Sequence, residues 1–106
     1  MTSLQKITEL AERIAQEFHP EKIILFGSSA VGVAKEDSDV DLLVIMPTGG
    51  SGLRKAAEIL DKISPRIPVD LIVRDPDDVR RRLATNDFFL REVFEKGRLL
   101  YESPDE

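Results

Sequence analysis

The chain has 106 residues, a formal net charge of −5, 42% apolar residues and 33% charged residues. This length buries one hydrophobic core but not two, so we expect a single domain over residues 1–102 and a frayed tail at 103–106. With no cysteine, one histidine and no apolar run near the roughly 20 residues that span a bilayer, the composition excludes thiolate chemistry and most zinc sites and predicts a cytoplasmic protein without a membrane segment. The negative charge argues against broad binding to a nucleic-acid backbone.

In chain order, the sequence alternates between two apolar patterns. Helical stretches repeat apolar residues every three or four positions, whereas strand stretches are short apolar runs closed by glycine or proline. The predicted elements are a helix over 3–18, strands over 22–26 and 40–46, a helix over 53–63, a strand over 67–73, a short helix from Pro76, a helix over 87–96 and a strand over 99–101. This order predicts an α/β domain with a small mixed sheet of three or four strands, flanked by helices.

Particular residues mark the ends of these elements. Ser3 and Asp75 are expected to cap helices at their N-termini, with Pro76 at the first helical position. The His19-Pro20 pair ends the first helix, because the residue before proline is pushed out of the helical region. The expected apolar face of the helix over 53–63 consists of Leu53, Ala56, Ala57, Leu60 and Ile63.

Two aspartates stand at the mouth of the second strand. Asp39 and Asp41 are two residues apart, so strand pleating directs both carboxylates to the same side, with Cα atoms about 6.5 Å apart. Carboxylates this close repel each other, and a raised pKa or a bound cation relieves the repulsion. Oxygen-only ligands select a hard cation such as Mg²⁺ or Mn²⁺. Asp37 belongs to the same acidic run, but its place before the strand predicts a turn residue.

A third aspartate arises in the third strand. Asp70 is the one acidic residue of that apolar run, and a carboxylate inside a buried strand is costly unless it is paired or ligated. If the third strand lies beside the second, about 4.8 Å away, Asp70 can join Asp39 and Asp41 in one cluster. Three carboxylates can hold two metal ions, of which one activates an attacking oxygen and the other neutralises a triphosphate.

The turn that closes the first strand is the candidate phosphate site. The Gly27-Ser28 turn, with Ser29 beginning a short helix, would present backbone N–H groups and a hydroxyl to a phosphate. Each feature also has a structural alternative: the acidic run as a solvated turn, the glycine turn as a simple strand stop, and Asp70 as an edge residue facing water. The run Arg80-Arg81-Arg82 has two possible interpretations, which are a solvated helix face and a contact for a partner or a phosphate.

These motifs together resemble a known family. Gly-Ser at 27–28, a spacer of ten residues and Asp-x-Asp at 39–41 resemble the signature of the DNA polymerase β-like nucleotidyltransferase superfamily. With Asp70 as the third carboxylate and a similar ending at 95–102, the resemblance covers nearly the whole chain and points to the minimal nucleotidyltransferases. It implies the nucleotidyltransferase fold.

The resemblance also implies a function. Minimal nucleotidyltransferases pair with HEPN-domain toxins as the antitoxin of a type VII-like toxin–antitoxin system, and some transfer AMP from ATP to a tyrosine hydroxyl of the toxin. The implied cofactor is Mg²⁺ or Mn²⁺, the substrate is ATP, and assembly of the chain with itself or with the toxin stays open. The implied residues are Gly27, Ser28 and Ser29 for the nucleotide, and Asp39, Asp41 and Asp70 for catalysis and metal binding.

The sequence departs from the family at two positions. Many minimal members read Gly-Ser-Arg-Ala-Arg-Gly, whereas Ser29 and Val31 stand at the arginine positions here. Arginine forms bidentate bonds to phosphate, so this loss weakens nucleotide binding unless Lys35 or a partner compensates. Two alternatives therefore stay open: a catalytically degenerate antitoxin that neutralises its partner by binding alone, and a sensor that binds a nucleoside triphosphate without transfer.

Overall fold

The computed structural model describes residues 4–27, 30 and 39–104. Within them the elements are α1 (Leu4–Phe18), β1 (Lys22–Phe26), β2 (Val40–Ile45), α2 (Gly52–Ile63), β3 (Val69–Arg74), α3 (Pro76–Ala84), α4 (Phe88–Lys96) and β4 (Arg98–Glu102). The helices and strands predicted in chain order are all present, and each predicted boundary lies within two residues of the observed one. The short helix expected to begin at Ser29 lies outside the described residues. None of the helices described here is long and apolar enough to cross a membrane.

The four strands form one mixed sheet in the order β3-β2-β1-β4. β2 is parallel to β3 and antiparallel to β1, and β1 is antiparallel to β4. The predicted central position of β2 is confirmed. β3 is an edge strand, and Pro68 lies just before it, where its carbonyl accepts a hydrogen bond of 2.9 Å from Val40 N–H. Proline is tolerated at this position because no ladder bond requires its missing donor.

Both faces of the sheet are covered, each by a different pair of helices. On one face, α1 and α2 pack against Ile23, Leu25 and the residues that alternate with them on β2 and β3. On the other face, α3 and α4 pack against Ile24 and Leu43. Strand pleating explains this division, because successive side chains point to opposite faces. We refer to these as the α1/α2 face and the α3/α4 face.

The buried side of α2 agrees with the predicted one at Ala56, Ile63 and the half-buried Leu60, but not at Leu53 and Ala57. The structure buries Ala56, Ile59 and Ile63, whereas Leu53 remains 85% exposed and Ala57 is also exposed. The reason lies at Gly52, where an added Cβ would overlap the carbonyl oxygen of Val73 at the end of β3. The line of contact therefore runs through positions 52, 56, 59 and 63. Leu53 and Ala57 each follow that line by one residue, about 100° around the helix.

Helix α1 ends where the His19-Pro20 pair predicts, but by a different conformation. His19 adopts a left-handed φ of 53°, and its N–H donates to the carbonyl of Ala15 at 3.0 Å. A single left-handed residue commonly ends a helix, although glycine or asparagine usually occupies it. Ser3, the expected cap at the other end of α1, lies outside the described residues.

The predicted role of Asp75 requires a correction. Asp75 precedes Pro76 at the start of α3, but its carboxylate makes no capping hydrogen bond. It accepts instead from Thr48 N–H at 3.0 Å and from the Thr48 hydroxyl at 2.7 Å, and these bonds lower the pKa of Asp75. Thr48 is buried in the β2–α2 loop and needs a partner for its hydroxyl. The non-local partner therefore outcompetes the local cap.

Candidate functional site

The three aspartates named from the sequence lie where β2 and β3 begin. β2 and β3 are parallel, and their register pairs Asp41 directly with Asp70. Asp41 is also paired with Phe26, the last residue of β1, across the antiparallel side. Asp39 comes two residues before Asp41, just ahead of the first strand residue. The end of one strand and the beginnings of two others thus meet at one end of the sheet.

Asp41 and Asp70 share the α3/α4 face of the sheet. Leu43 and Ile72, two residues further along each strand, pack in the core on that face. Side chains two residues apart on a strand point the same way, so both aspartates point to the same face as these apolar neighbours. The carboxylates therefore border the α3/α4 core and stay clear of the α1/α2 core.

Electrostatics links the three carboxylates. The pKa of Asp41 is raised above its ordinary value, first because burial disfavours its charged form, then because of the negative charges of Asp70 and Asp39. A bound cation would offset both the burial and the repulsion. The group of three is consequently a site that favours positive charge.

The environment of Asp70 differs from the expected one. Asp70 is exposed, because β3 is an edge strand, and Asp39 is exposed as well, whereas Asp41 is half-buried. Burial therefore does not force Asp70 to find a ligand. Its link to the site rests on its register with Asp41. Among the described residues, no three acidic or histidine side chains converge closely enough to hold a metal ion as they stand, although an all-carboxylate set has the oxygen ligands that Mg²⁺ prefers.

The glycine turn packs directly on the half-buried carboxylate. Gly27 follows β1 with a φ of +79°, and an added Cβ would overlap Asp41 Oδ2. Its carbonyl accepts a hydrogen bond of 3.1 Å from Ala30 N–H, which closes the turn. Both the left-handed φ and the close approach require glycine. Ser28 and Ser29, the other residues predicted to bind nucleotide, lie outside the described residues, as do Val31, Lys35 and Asp37.

A cavity that the sequence did not reveal lies beside this turn. It has a volume of about 390 Å³ and lies between the end of β1 and the outer part of α4. Its aromatic wall is an edge-to-face pair of Phe26 and Phe89, with ring centroids 5.4 Å apart and planes at 87°. The signal available in the sequence was that α4 contains three phenylalanines, two of which are adjacent and therefore point about 100° apart around the helix. The residues that line the cavity are Phe26, Gly27, Phe89, Glu92, Val93, Lys96 and Gly97.

The arginine run does not face this site as a free cationic cluster. Arg81 pairs with Asp78 at 2.6 Å, and Arg82 bridges Asp78 at 3.0 Å and Asp87 at 3.4 Å. Arg80 pairs with Asp77 in the same helix. All three arginines are exposed, so the structure places them on a solvated face of α3 with acidic neighbours.

Comparison with known proteins defines the class of this chain. Residues 7–100 match the family described as the nucleotidyltransferase domain. The chain therefore belongs to the nucleotidyltransferase domain family. No curated protein matches it.

Two solved structures share its fold. The first is a candidate nucleotidyltransferase from Sulfolobus solfataricus, with 23% sequence identity, a TM-score of 0.67, and coverage of 96% of this chain and 82% of that one. The second comes from a toxin–antitoxin complex with AMP-PNP, with 17% identity, a TM-score of 0.55, and coverage of 92% of this chain and 74% of that one. At these identities the likeness shows the shared nucleotidyltransferase fold alone.

Proposed function

We propose that this chain is a metal-dependent nucleotidyltransferase that transfers AMP from ATP to a hydroxyl of a partner protein in the cytoplasm. The observation that carries the proposal is the register of Asp41 with Asp70, on the same sheet face and beside the Gly27 turn. The partner we propose is a HEPN-domain toxin with a tyrosine acceptor, which this chain neutralises as the antitoxin. A toxin–antitoxin complex with AMP-PNP is among the structures that share the fold, which supports a toxin as the partner.

We assign two roles to the three carboxylates, which are to bind the metal ion and to accept the proton of the acceptor hydroxyl. Asp39, Asp41 and Asp70 would hold Mg²⁺ or Mn²⁺, which would neutralise the triphosphate and lower the pKa of the acceptor hydroxyl. Asp70 is exposed at the edge of the sheet, where an acceptor on another protein can reach it. It would accept the hydroxyl proton as the acceptor oxygen bonds to the α-phosphorus and the bond to pyrophosphate breaks.

We assign binding of the nucleotide phosphates to the turn that begins at Gly27. Gly27 ends β1 against Asp41 Oδ2, so the turn and the carboxylates border the same space. We propose that the turn formed by Gly27, Ser28 and Ser29 donates backbone N–H groups to the phosphates, because such turns present donors to anions. Burial and the negative charges of Asp70 and Asp39 raise the pKa of Asp41, and a cation bound together with the nucleotide would offset both effects.

The test is transfer of label to the partner. The chain is incubated with Mg²⁺ and a candidate HEPN-domain toxin, with ATP labelled on either the α- or the γ-phosphate. We expect label on the partner from α-labelled ATP alone, and a loss of at least about 100-fold in Asp41→Asn, because a lost metal ligand removes several kcal/mol of transition-state stabilisation. Asp61→Asn, on α2, is the matched control and should label normally. Equal labelling by Asp41→Asn, or no labelling by the wild type, contradicts the proposal.

A second candidate function is neutralisation of the partner by binding alone. It is favoured by the absence of converged carboxylates among the described residues and by Ser29 and Val31 in place of arginines. In this case an Asp39→Asn, Asp41→Asn double variant still protects cells from the partner. Loss of protection by a double variant that still forms the complex would exclude binding alone.

A further inference from the structure

The cavity between β1 and α4 is not used by the mechanism above, yet it adjoins the carboxylates. We propose that it binds the base and ribose of the nucleotide, an inference that rests on the proposed function. Gly27 lines the cavity and also abuts Asp41 Oδ2, so a single residue separates the two spaces. The cavity therefore adjoins the place where the phosphates would lie.

The sheet register fixes how close these spaces are. Phe26, in the wall of the cavity, is paired with Asp41 across β1 and β2, and both side chains lie on the α3/α4 face. Neighbouring strands are about 4.8 Å apart, so the aromatic wall is one strand spacing from the carboxylate. A nucleotide whose phosphates meet Asp41 can extend its sugar and base directly over Phe26 towards α4.

The aromatic wall suits a flat ring. Phe89 meets the Phe26 ring edge to face and remains 42% exposed, whereas Phe26 is half-buried. The ring of Phe89 is thus held in place on one side and accessible on the other. Stacking of a base on an aromatic side chain contributes about 1–3 kcal/mol and does not depend on the identity of the base.

Two charged groups give the cavity polar contacts of both kinds. Glu92 and Lys96 are one helical turn apart on α4, and both line the cavity. A carboxylate accepts hydrogen bonds from ribose hydroxyls or exocyclic amines, and an ammonium donates to ring nitrogens or hydroxyls. Within the described part of the chain, Lys96 is the one cationic residue that lines this cavity.

The size of the cavity favours a nucleoside over an acceptor side chain. Its volume of about 390 Å³ falls within the roughly 300–1,000 Å³ typical of small-molecule sites. A single aromatic side chain from a partner would leave much of that space empty. Contact with Gly27, the first residue of the candidate phosphate turn, also places the cavity on the nucleotide side of the site.

The test separates the contribution of the Phe89 ring to nucleotide binding from that of the phosphate contacts. Calorimetry measures binding of ATP and of inorganic tripolyphosphate, each with Mg²⁺ and without any acceptor protein. Phe89→Leu keeps an apolar side chain but removes the ring, so ATP affinity should fall roughly tenfold while tripolyphosphate affinity is unchanged. The matched control is Phe88→Leu, the preceding residue, which is 89% exposed and outside this cavity. A second variant, Lys96→Gln, should weaken ATP binding, whereas Lys62→Gln on α2 should not.

The outcomes distinguish this inference from the proposed function. If the wild type binds neither ligand, both fail. If it binds both ligands, and Phe89→Leu and Lys96→Gln retain wild-type ATP affinity, the cavity is not the nucleoside site while the proposed function stands. Equal weakening of both ligands by Phe89→Leu would show a disturbed Gly27 turn and overturn the inference. Normal ATP binding with a raised KM for the acceptor protein would assign the cavity to the acceptor and overturn it as well.

Discussion

At the scale of single residues, Gly27 packs the end of β1 closely against the carboxylate of Asp41. Its φ of +79° is one that residues with a Cβ rarely adopt, and the space where a Cβ would lie is filled by Asp41 Oδ2. The two constraints can be separated, because Gly49 has a similar φ of +74° and no neighbouring atom within 4 Å of an added Cβ. Gly49 thus supplies a natural control.

Replacing Gly27 with alanine should therefore damage the site more than the fold. Gly49→Ala should cost about 1–2 kcal/mol of unfolding free energy, the penalty for a left-handed residue with a Cβ. Gly27→Ala should cost a similar amount and also displace Asp41, so AMP transfer should fall about 100-fold. Urea unfolding and the transfer assay measure the two effects. Wild-type transfer by Gly27→Ala would show that Asp41 tolerates displacement.

At the scale of elements, α2 is the connection that makes β2 and β3 parallel. Parallel strands need a crossover between them, and here α2 supplies it while packing on the α1/α2 face. This connection brings Asp41 beside Asp70, although they are far apart in sequence. The packing of α2 therefore supports the site from the opposite face of the sheet.

The rotation of α2 gives a prediction about its buried side. Ile59 is fully buried and Leu53 is 85% exposed, although both are large aliphatic residues of the same helix. Ile59→Ala should lower the unfolding free energy by about 2–5 kcal/mol, through lost burial and the cavity left behind. Leu53→Ala should change it by less than about 0.5 kcal/mol. Urea unfolding of both variants checks this. Equal losses would mean that Leu53, as the sequence pattern suggested, also faces the core.

At the scale of the whole molecule, the three carboxylates of the candidate site make folding depend on pH and, if they bind a metal ion as proposed, on that ion as well. The folded pKa of Asp41 lies above its ordinary value of 3.8, because of burial and of the charges on Asp70 and Asp39. Its ionised form therefore reduces stability above the folded pKa. That cost disappears as the pH falls through the folded pKa towards 3.8. A cation that binds only the folded state would raise the unfolding free energy and so oppose the effect of the repulsion.

Removing this charge should consequently stabilise the metal-free protein. We expect Asp41→Asn to raise the unfolding free energy by less than about 1 kcal/mol at pH 7 in chelator, because water screens the charge of a half-buried carboxylate. The gain should shrink as the pH falls towards 3.8. Added Mg²⁺ should stabilise the wild type more than the variant. Urea unfolding with and without Mg²⁺ measures each effect, and Asp61→Asn, on the exposed side of α2, is the control. A pH-independent gain would mean that the charge of Asp41 is not its cause.

The sequence by itself determined the elements, their order and one part of the site. Helices and strands are governed by local periodicity, so their boundaries follow from nearby residues, as at Pro76 and at the Gly97 end of α4. The pairing of Asp39 with Asp41 was predicted from their spacing of two residues within a strand. β2 begins at Val40, so strand pleating does not by itself set the side to which Asp39 points. The Gly27 turn could also be predicted from neighbouring residues, because a glycine directly follows a short apolar run.

Only the tertiary structure decided what depends on contacts between distant residues. The register that sets Asp70 beside Asp41, and the edge position that leaves Asp70 exposed, follow from strand order. The close approach of Gly52 to β3 sets the rotation of α2 and so buries Ile59 instead of Leu53. The carboxylate of Asp75, which was expected to cap α3, accepts a hydrogen bond from Thr48 instead. The cavity beside Gly27 exists because α4 returns to the end of β1. Close approaches and hydrogen bonds of this kind join residues that no local pattern links, so the sequence could not specify them.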